Sequence, residues 1–158
     1  MIEHEKKKMT EEAALLRLAG LCTKAEYCSY DIRRKMSNWE LPDGACERIL
    51  KRLKADKYVD DSRYAHAFVR SKSQYDKWGR IKIANALKMK GIDEATIEDA
   101  LGEIDLQASD DTLRHLLESK ATKIKYNNEY DLRAKLIRFA LSRGFTMDSI
   151  SRCLAEII

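Results

Sequence analysis

The chain of 158 residues is 35 % charged, contains a single Pro and carries a formal net charge of +4. That length allows one ordinary domain or several small modules, and the composition favours helices with a wet, ionic surface. It excludes a membrane span, because no run of about 18 apolar residues occurs. It also argues against a zinc knuckle or a thioredoxin-like site, because Cys22, Cys28, Cys46 and Cys153 form no CxxC pair.

Residues 1–9 read as a charged N-terminal tail. No apolar stretch follows this start, so no secretory signal is expected, and the chain reads as a cytoplasmic protein with reduced thiols. The first helical pattern then begins behind Thr10, a natural N-cap, with Glu11 and Glu12 suited to the positive end of the helix. Ala14, Leu15, Leu18 and Leu21 follow at helical spacing. "CERILKRLKADKYV" sets Ile49, Leu50, Leu53 and Val59 at similar steps, and strand alternation is nowhere sustained.

Sliding the chain against itself exposes a repeat. At an offset of 51, Ile32, Met36, Leu41, Cys46, Leu50 and Leu53 fall on Ile83, Leu87, Ile92, Ile97, Leu101 and Ile104. At a further offset of 53, Ile83, Gly91, Ile92, Ile97, Leu101 and Ile104 fall on Leu136, Gly144, Phe145, Ile150, Leu154 and Ile157. The pattern predicts an all-α chain of three tandem three-helix modules at 10–57, 58–105 and 106–158, stacked into an elongated, curved array. Gly91 and Gly144 fit the left-handed position that ends a helix. Asp93 and Thr146 fit the N-cap of the next, and Pro42 with Asp43 does the same work in the first module.

Charge alternates in sign along these modules. Arg70 to Lys90 holds seven cations (Arg70, Lys72, Lys77, Arg80, Lys82, Lys88 and Lys90) against Asp76, and residues 92–111 hold eight acids with no Lys or Arg. Lys120 to Arg143 is basic again, through Lys120, Lys123, Lys125, Arg133, Lys135, Arg138 and Arg143. Arg133, Lys135 and Arg143 occupy the repeat positions of Arg80, Lys82 and Lys90. Recurrent cations on middle helices would build a basic strip for a polyanion or an acidic protein surface, with the acidic helices turned away. A solvated helix face is the plainer reading of any single run.

Candidate chemistry is sparse. Asp60 and Asp61 could bind a metal, but no His or further carboxylate sits at ligand spacing on their face, and helix starts favour acids. Helix capping is the stronger reading. Tyr64, Ala65, Phe68 and Val69 form a buried stripe rather than a stacking platform, and His66 falls off it without an evident role. No nucleophile–base arrangement and no phosphate loop stands out. No catalytic residue, cofactor or metal is expected, and the chain does not read as an enzyme.

"YVDDSRYAHAFVRSK" followed by "WGRIKIANALKMKGI" resembles the central signature of the RecX regulatory family. The matching residues are Tyr58, Val59, Asp60, Asp61, Arg63, Tyr64, Ala65, Phe68, Val69, Trp78, Gly79, Lys82, Ile83, Leu87, Lys90, Gly91 and Ile92. Arg80 stands where the family often has Pro, and Lys82 where it often has Arg; both keep the site basic. The resemblance implies a regulator of the RecA recombinase that lodges in the groove of the RecA–DNA filament. It would restrain ATP hydrolysis, strand exchange and repressor cleavage, with weaker phosphate contacts to single- or double-stranded DNA. A monomer without membrane association is expected. The competing readings are a helix-turn-helix or non-specific DNA binder acting independently of RecA and, more weakly, a nuclease built on Asp60 and Asp61.

Overall fold

The computed structural model describes residues 9–158, so the charged tail lies outside the described residues except for Met9. The described residues form nine α-helices and no strand. They are α1 (Glu11–Cys22), α2 (Ser29–Asn38), α3 (Asp43–Ala55), α4 (Asp61–Gln74), α5 (Arg80–Met89), α6 (Glu94–Leu101), α7 (Leu106–Lys123), α8 (Glu129–Ser142) and α9 (Met147–Ile157). The helical-repeat class read from the apolar pattern is the class observed.

Helix starts follow local chemistry. The side chains of Thr10, Asp93, Asp105, Asn128 and Thr146 each accept the N–H of the residue three positions on, satisfying one of the orphan donors of a first turn. Pro42 precedes α3 in extended backbone. Helix ends also repeat. Gly91 (φ 71°) and Gly144 (φ 91°) take the left-handed conformation. The next residue closes the turn, Ile92 donating to the Leu87 carbonyl and Phe145 to that of Ala140. In the first module the equivalent position is Glu40, also left-handed at φ 57°, with Leu41 donating to Met36. The turn assigned from sequence to Pro42 and Asp43 therefore begins two residues earlier, on a residue that carries the steric cost glycine avoids.

Two compact units divide the chain, one through Tyr64 and one from Ala65 onward, so the break falls in the first turn of α4. In the first unit, α1 and α2 pack on α3 around Ala14, Leu18, Ile32, Met36, Ile49, Leu50, Leu53 and Val59. In the second unit, α5 packs on α6, while α7, α8 and α9 pack together around Leu113, Leu117, Leu136, Ala140, Phe145, Ile150, Cys153 and Leu154. Ile83 and Leu87 of α5 and Ile97 and Ala100 of α6 are fully or almost fully buried. Truncating one such core Leu or Ile to Ala costs about 2–5 kcal/mol in comparable cores.

Candidate nucleic-acid and protein interface

The paired aspartates serve two different helices. Asp60 caps its own helix, its Oδ1 accepting Arg63 N–H at 3.0 Å. Asp61 reaches back to the start of α2, where Oδ1 accepts the Ser29 N–H at 2.7 Å and Oδ2 accepts the Ser29 hydroxyl at 2.9 Å. Asp61 thus caps a helix 32 residues upstream, a role local spacing could not indicate. Among the described residues no group of three His, Cys, Asp or Glu side chains is arranged to hold a metal.

The other signature residues build the start of α5. Trp78 meets Phe68 edge to face, 6.4 Å between centroids. Lys72 Nζ lies 4.7 Å and Lys82 Nζ 4.4 Å from the Trp78 ring centroid, so two cations lie over the indole, attracted by its ring. Tyr64 is buried, Phe68 half-buried, and Ile83 and Leu87 have no exposed surface. Gly79 donates its N–H to the Arg143 carbonyl at 2.7 Å, and Ile81 donates to the Gly144 carbonyl at 3.0 Å. A Cβ on Gly79 would fall within the backbone of Gly144 and Phe145, and one on Gly144 within Lys82. Glycine is needed at both positions so that two backbones can touch.

The end of α8 therefore meets the start of α5, the negative end of one helix dipole against the positive end of the other. With 14 and 10 residues, the two helices supply about 36 Å of helix at ~1.5 Å per residue. Their exposed cations are Arg80, Lys88, Arg133 and Arg138, and Lys77 is exposed in the loop before α5. Arg80, Lys88, Arg133 and Lys77 have no ion-pair partner among the described residues.

The remaining sequence-predicted cations are engaged. Arg70 pairs with Glu103 at 3.2 Å, Lys72 with Asp76 at 3.1 Å, and Lys135 with Asp131 at 3.2 Å. Lys135 also donates to the Lys125 carbonyl. The Arg143 guanidinium lies over Phe139, opposite in sequence to Lys120, which covers the same ring. Lys90 is half-buried.

The acidic run does not simply turn away, as its charge pattern had suggested. Asp99 and Glu103 face α4, where they take both ring nitrogens of His66, Nε2 at 2.9 Å from Asp99 and Nδ1 at 2.6 Å from Glu103. Hydrogen bonds to Asp99 and then Glu103 raise the imidazole pKa above its ordinary value, against a smaller opposing effect of desolvation. His66, without a role in the sequence reading, is the clamp between α4 and the end of α6. Its partners lie 33 and 37 residues away, so helical periodicity gave no sign of them.

Nucleophilic chemistry finds little support in the thiols. Burial pushes Cys22, Cys46 and Cys153 up from the usual thiol range, which disfavours the reactive thiolate. Asp110 is buried on α7, but Arg152 of α9 occupies both its oxygens at 2.9 and 3.4 Å. Burial raises that carboxyl, and the bonds to Arg152 and Ser149 outweigh it to give a net lowering. No described helix is long and apolar enough to cross a membrane.

Comparison with known proteins agrees with this geometry. The model of the RecX second three-helix domain matches residues 60–101, and that of the RecX third three-helix domain matches residues 108–154. The chain is 30 % identical over 148 residues to the regulatory protein RecX of Actinobacillus pleuropneumoniae serotype 5b, covering 92 % of this chain and 93 % of that one. It is 32 % identical over 120 residues to the RecX protein of Clostridium perfringens, covering 75 % of this chain but only 56 % of that longer relative. The crystal structure of RecX from Lactobacillus salivarius has the same fold, with a TM-score of 0.83, 20 % identity, and coverage of 92 % of this chain and 95 % of that one. A second crystal structure of regulatory protein RecX gives a TM-score of 0.85 at 23 % identity, covering 92 % and 71 %. With the Asp60–Asp61 and Trp78–Gly79 positions occupied as described, the chain belongs to the RecX family of regulatory proteins.

Proposed function

We propose that this chain regulates a RecA recombinase by binding the RecA–DNA filament, restraining ATP hydrolysis, strand exchange and repressor cleavage. It acts by binding rather than by catalysis, as a monomer, with DNA phosphates as auxiliary contacts. The observation that carries this reading is the junction of α8 with α5, which presents Arg80, Lys88, Arg133 and Arg138 over two successive modules. A sequence reader would concentrate base-contacting side chains near the start of one recognition helix. Cations spread over two helices instead suit a repetitive, polyanionic partner.

The test is ATP turnover by RecA on single-stranded DNA. Arg70, Lys72, Lys82 and Lys135 are tied into ion pairs or ring contacts, so the informative variant is the quadruple Arg80→Ala, Lys88→Ala, Arg133→Ala, Arg138→Ala. Its exposed positions should change folding stability by less than about 0.5 kcal/mol each. The parent should suppress turnover, and the variant should need roughly ten-fold more protein for half-suppression, as expected for loss of steering and several charged contacts. Suppression by the parent only in proportion to the DNA it sequesters would support the independent DNA binder instead.

A further inference from the structure

Tyr130, Ala134, Ile137 and Leu141 recur along α8 at helical spacing. At ~100° per residue they fall within about 60° of one another, in a row about 17 Å long. The core side of the helix is elsewhere: Leu136 and Ala140 are buried, about 110° round from the middle of the row. Both ends of the row are open, Tyr130 being 83 % and Leu141 46 % exposed, with Ile137 half-buried between them. An amphipathic helix needs one apolar stripe to join its core. A second stripe on another side is matched to something outside the module.

The row continues past the end of α8. Gly144 donates its N–H to the Leu141 carbonyl and accepts the Ile81 N–H, which brings Ile81 to the same end; Ile81 is 45 % exposed. On α5 it holds the repeat position that Ala134 holds on α8, 53 residues on. The same face of two successive middle helices is therefore apolar. Cations rim it. Arg133 and Arg138 are both exposed and stand on opposite sides of the row, each about 70° from its middle. Arg80 precedes Ile81 as Arg133 precedes Ala134. The acids of α8 lie further round, in its first turn: Asp131 accepts the Asn127 N–H and pairs with Lys135, and Glu129 is about 110° from the row.

We propose that this row is the docking surface for an acidic amphipathic helix of a protein partner, laid lengthwise on α8. Charge and shape select that occupant. Phosphates would satisfy the arginines but leave Ile81, Ile137 and Leu141 in water, and aliphatic side chains give a base no ring to stack on. A helix with apolar anchors at helical spacing and acids on both flanks covers the row and meets both rims. The inference rests on the functional reading above and deepens it: the segment that α8 holds belongs to the recombinase, not to its DNA.

The test uses the full chain, with RecA assembled on a single-stranded oligonucleotide and the same oligonucleotide without RecA as the two probes. The parent is compared with Tyr130→Gln/Leu141→Gln, which keeps every cation, and with Tyr130→Phe/Leu141→Met, which keeps the row apolar. The Gln variant should lose roughly ten-fold or more in affinity for the filament, as when apolar anchors leave an interface. Its affinity for the bare oligonucleotide and its salt slope should stay those of the parent, and the Phe/Met variant should match the parent throughout. Parent-like filament binding by the Gln variant, or equal loss on both probes, would overturn the proposal while the filament reading stands. The same holds if the Gln substitutions only convert a sedimenting dimer to a monomer, since the row then joins two copies of this chain. A parent that binds the filament no better than the bare oligonucleotide would overturn the functional reading itself, and this proposal with it.

Discussion

At the scale of single residues, the structure reassigns side chains that look alike in sequence. Asp60 and Asp61 are neighbours of the same type, yet one caps α4 and the other caps α2. His66 is engaged at both ring nitrogens by carboxylates, which only the imidazolium can satisfy as a double donor. Its pKa is raised above an unfolded value of about 6.5, so near neutrality the folded chain binds more protons than the unfolded one. Stability from this clamp is fully present below the unfolded pKa and is lost as pH rises through the folded value. Melting temperature should therefore fall on going from mildly acidic to mildly alkaline buffer, and His66→Gln should flatten that part of the profile. An identical pH profile for parent and variant would show that the clamp does not titrate in this window.

At the scale of the elements, the middle helices of the first two modules are completed from downstream. The Ser29 N–H at the start of α2 is met by Asp61, and the Gly79 and Ile81 N–H groups at the start of α5 by the carbonyls that end α8. The start of α8 is capped locally by Asn128. Two glycines separate the demands of conformation and of close approach. Gly91 needs only its left-handed φ, since a Cβ there would meet open space; Gly79 needs only room, at an ordinary φ of −80°; Gly144 needs both. Gly91→Ala should therefore cost about 1–2 kcal/mol. Gly144→Ala should cost clearly more, and Gly79→Ala should loosen the α5–α8 junction without backbone strain. Thermal melts rank the three, and amide exchange at Gly79 and Ile81 reports the junction. A Gly144→Ala variant as stable as Gly91→Ala would mean that the contact with Lys82 yields easily.

Over the whole molecule, what the sequence made legible follows from what is periodic. Apolar residues recurring at 51 and 53 positions, and Gly91 and Gly144 among them, report amphipathic helices and the turns between them, and the described residues form helices at those places. Glu40 sits on the same repeat position as those glycines, so its left-handed turn could have been read from the alignment, but its residue type hid it. Which cations are free was legible only in part: Lys72 with Asp76 and Lys135 with Asp131 are pairs four residues apart, whereas Arg70 with Glu103 joins residues 33 apart. That sorting shapes the response to salt. Affinity resting on Arg80, Lys88, Arg133 and Arg138 with phosphates alone would fall linearly on a log–log salt plot, with a slope set by the phosphates neutralised. A seat in a protein filament also buries apolar and hydrogen-bonded surface, which salt screens less. Suppression of RecA should thus persist at salt concentrations where binding to bare DNA has largely gone, measured in one buffer over a range that leaves the filament assembled. Parallel loss of the two activities would place the main contacts on DNA. Persistence would assign the exposed arginines to capture and orientation, with the larger share of the affinity on the recombinase.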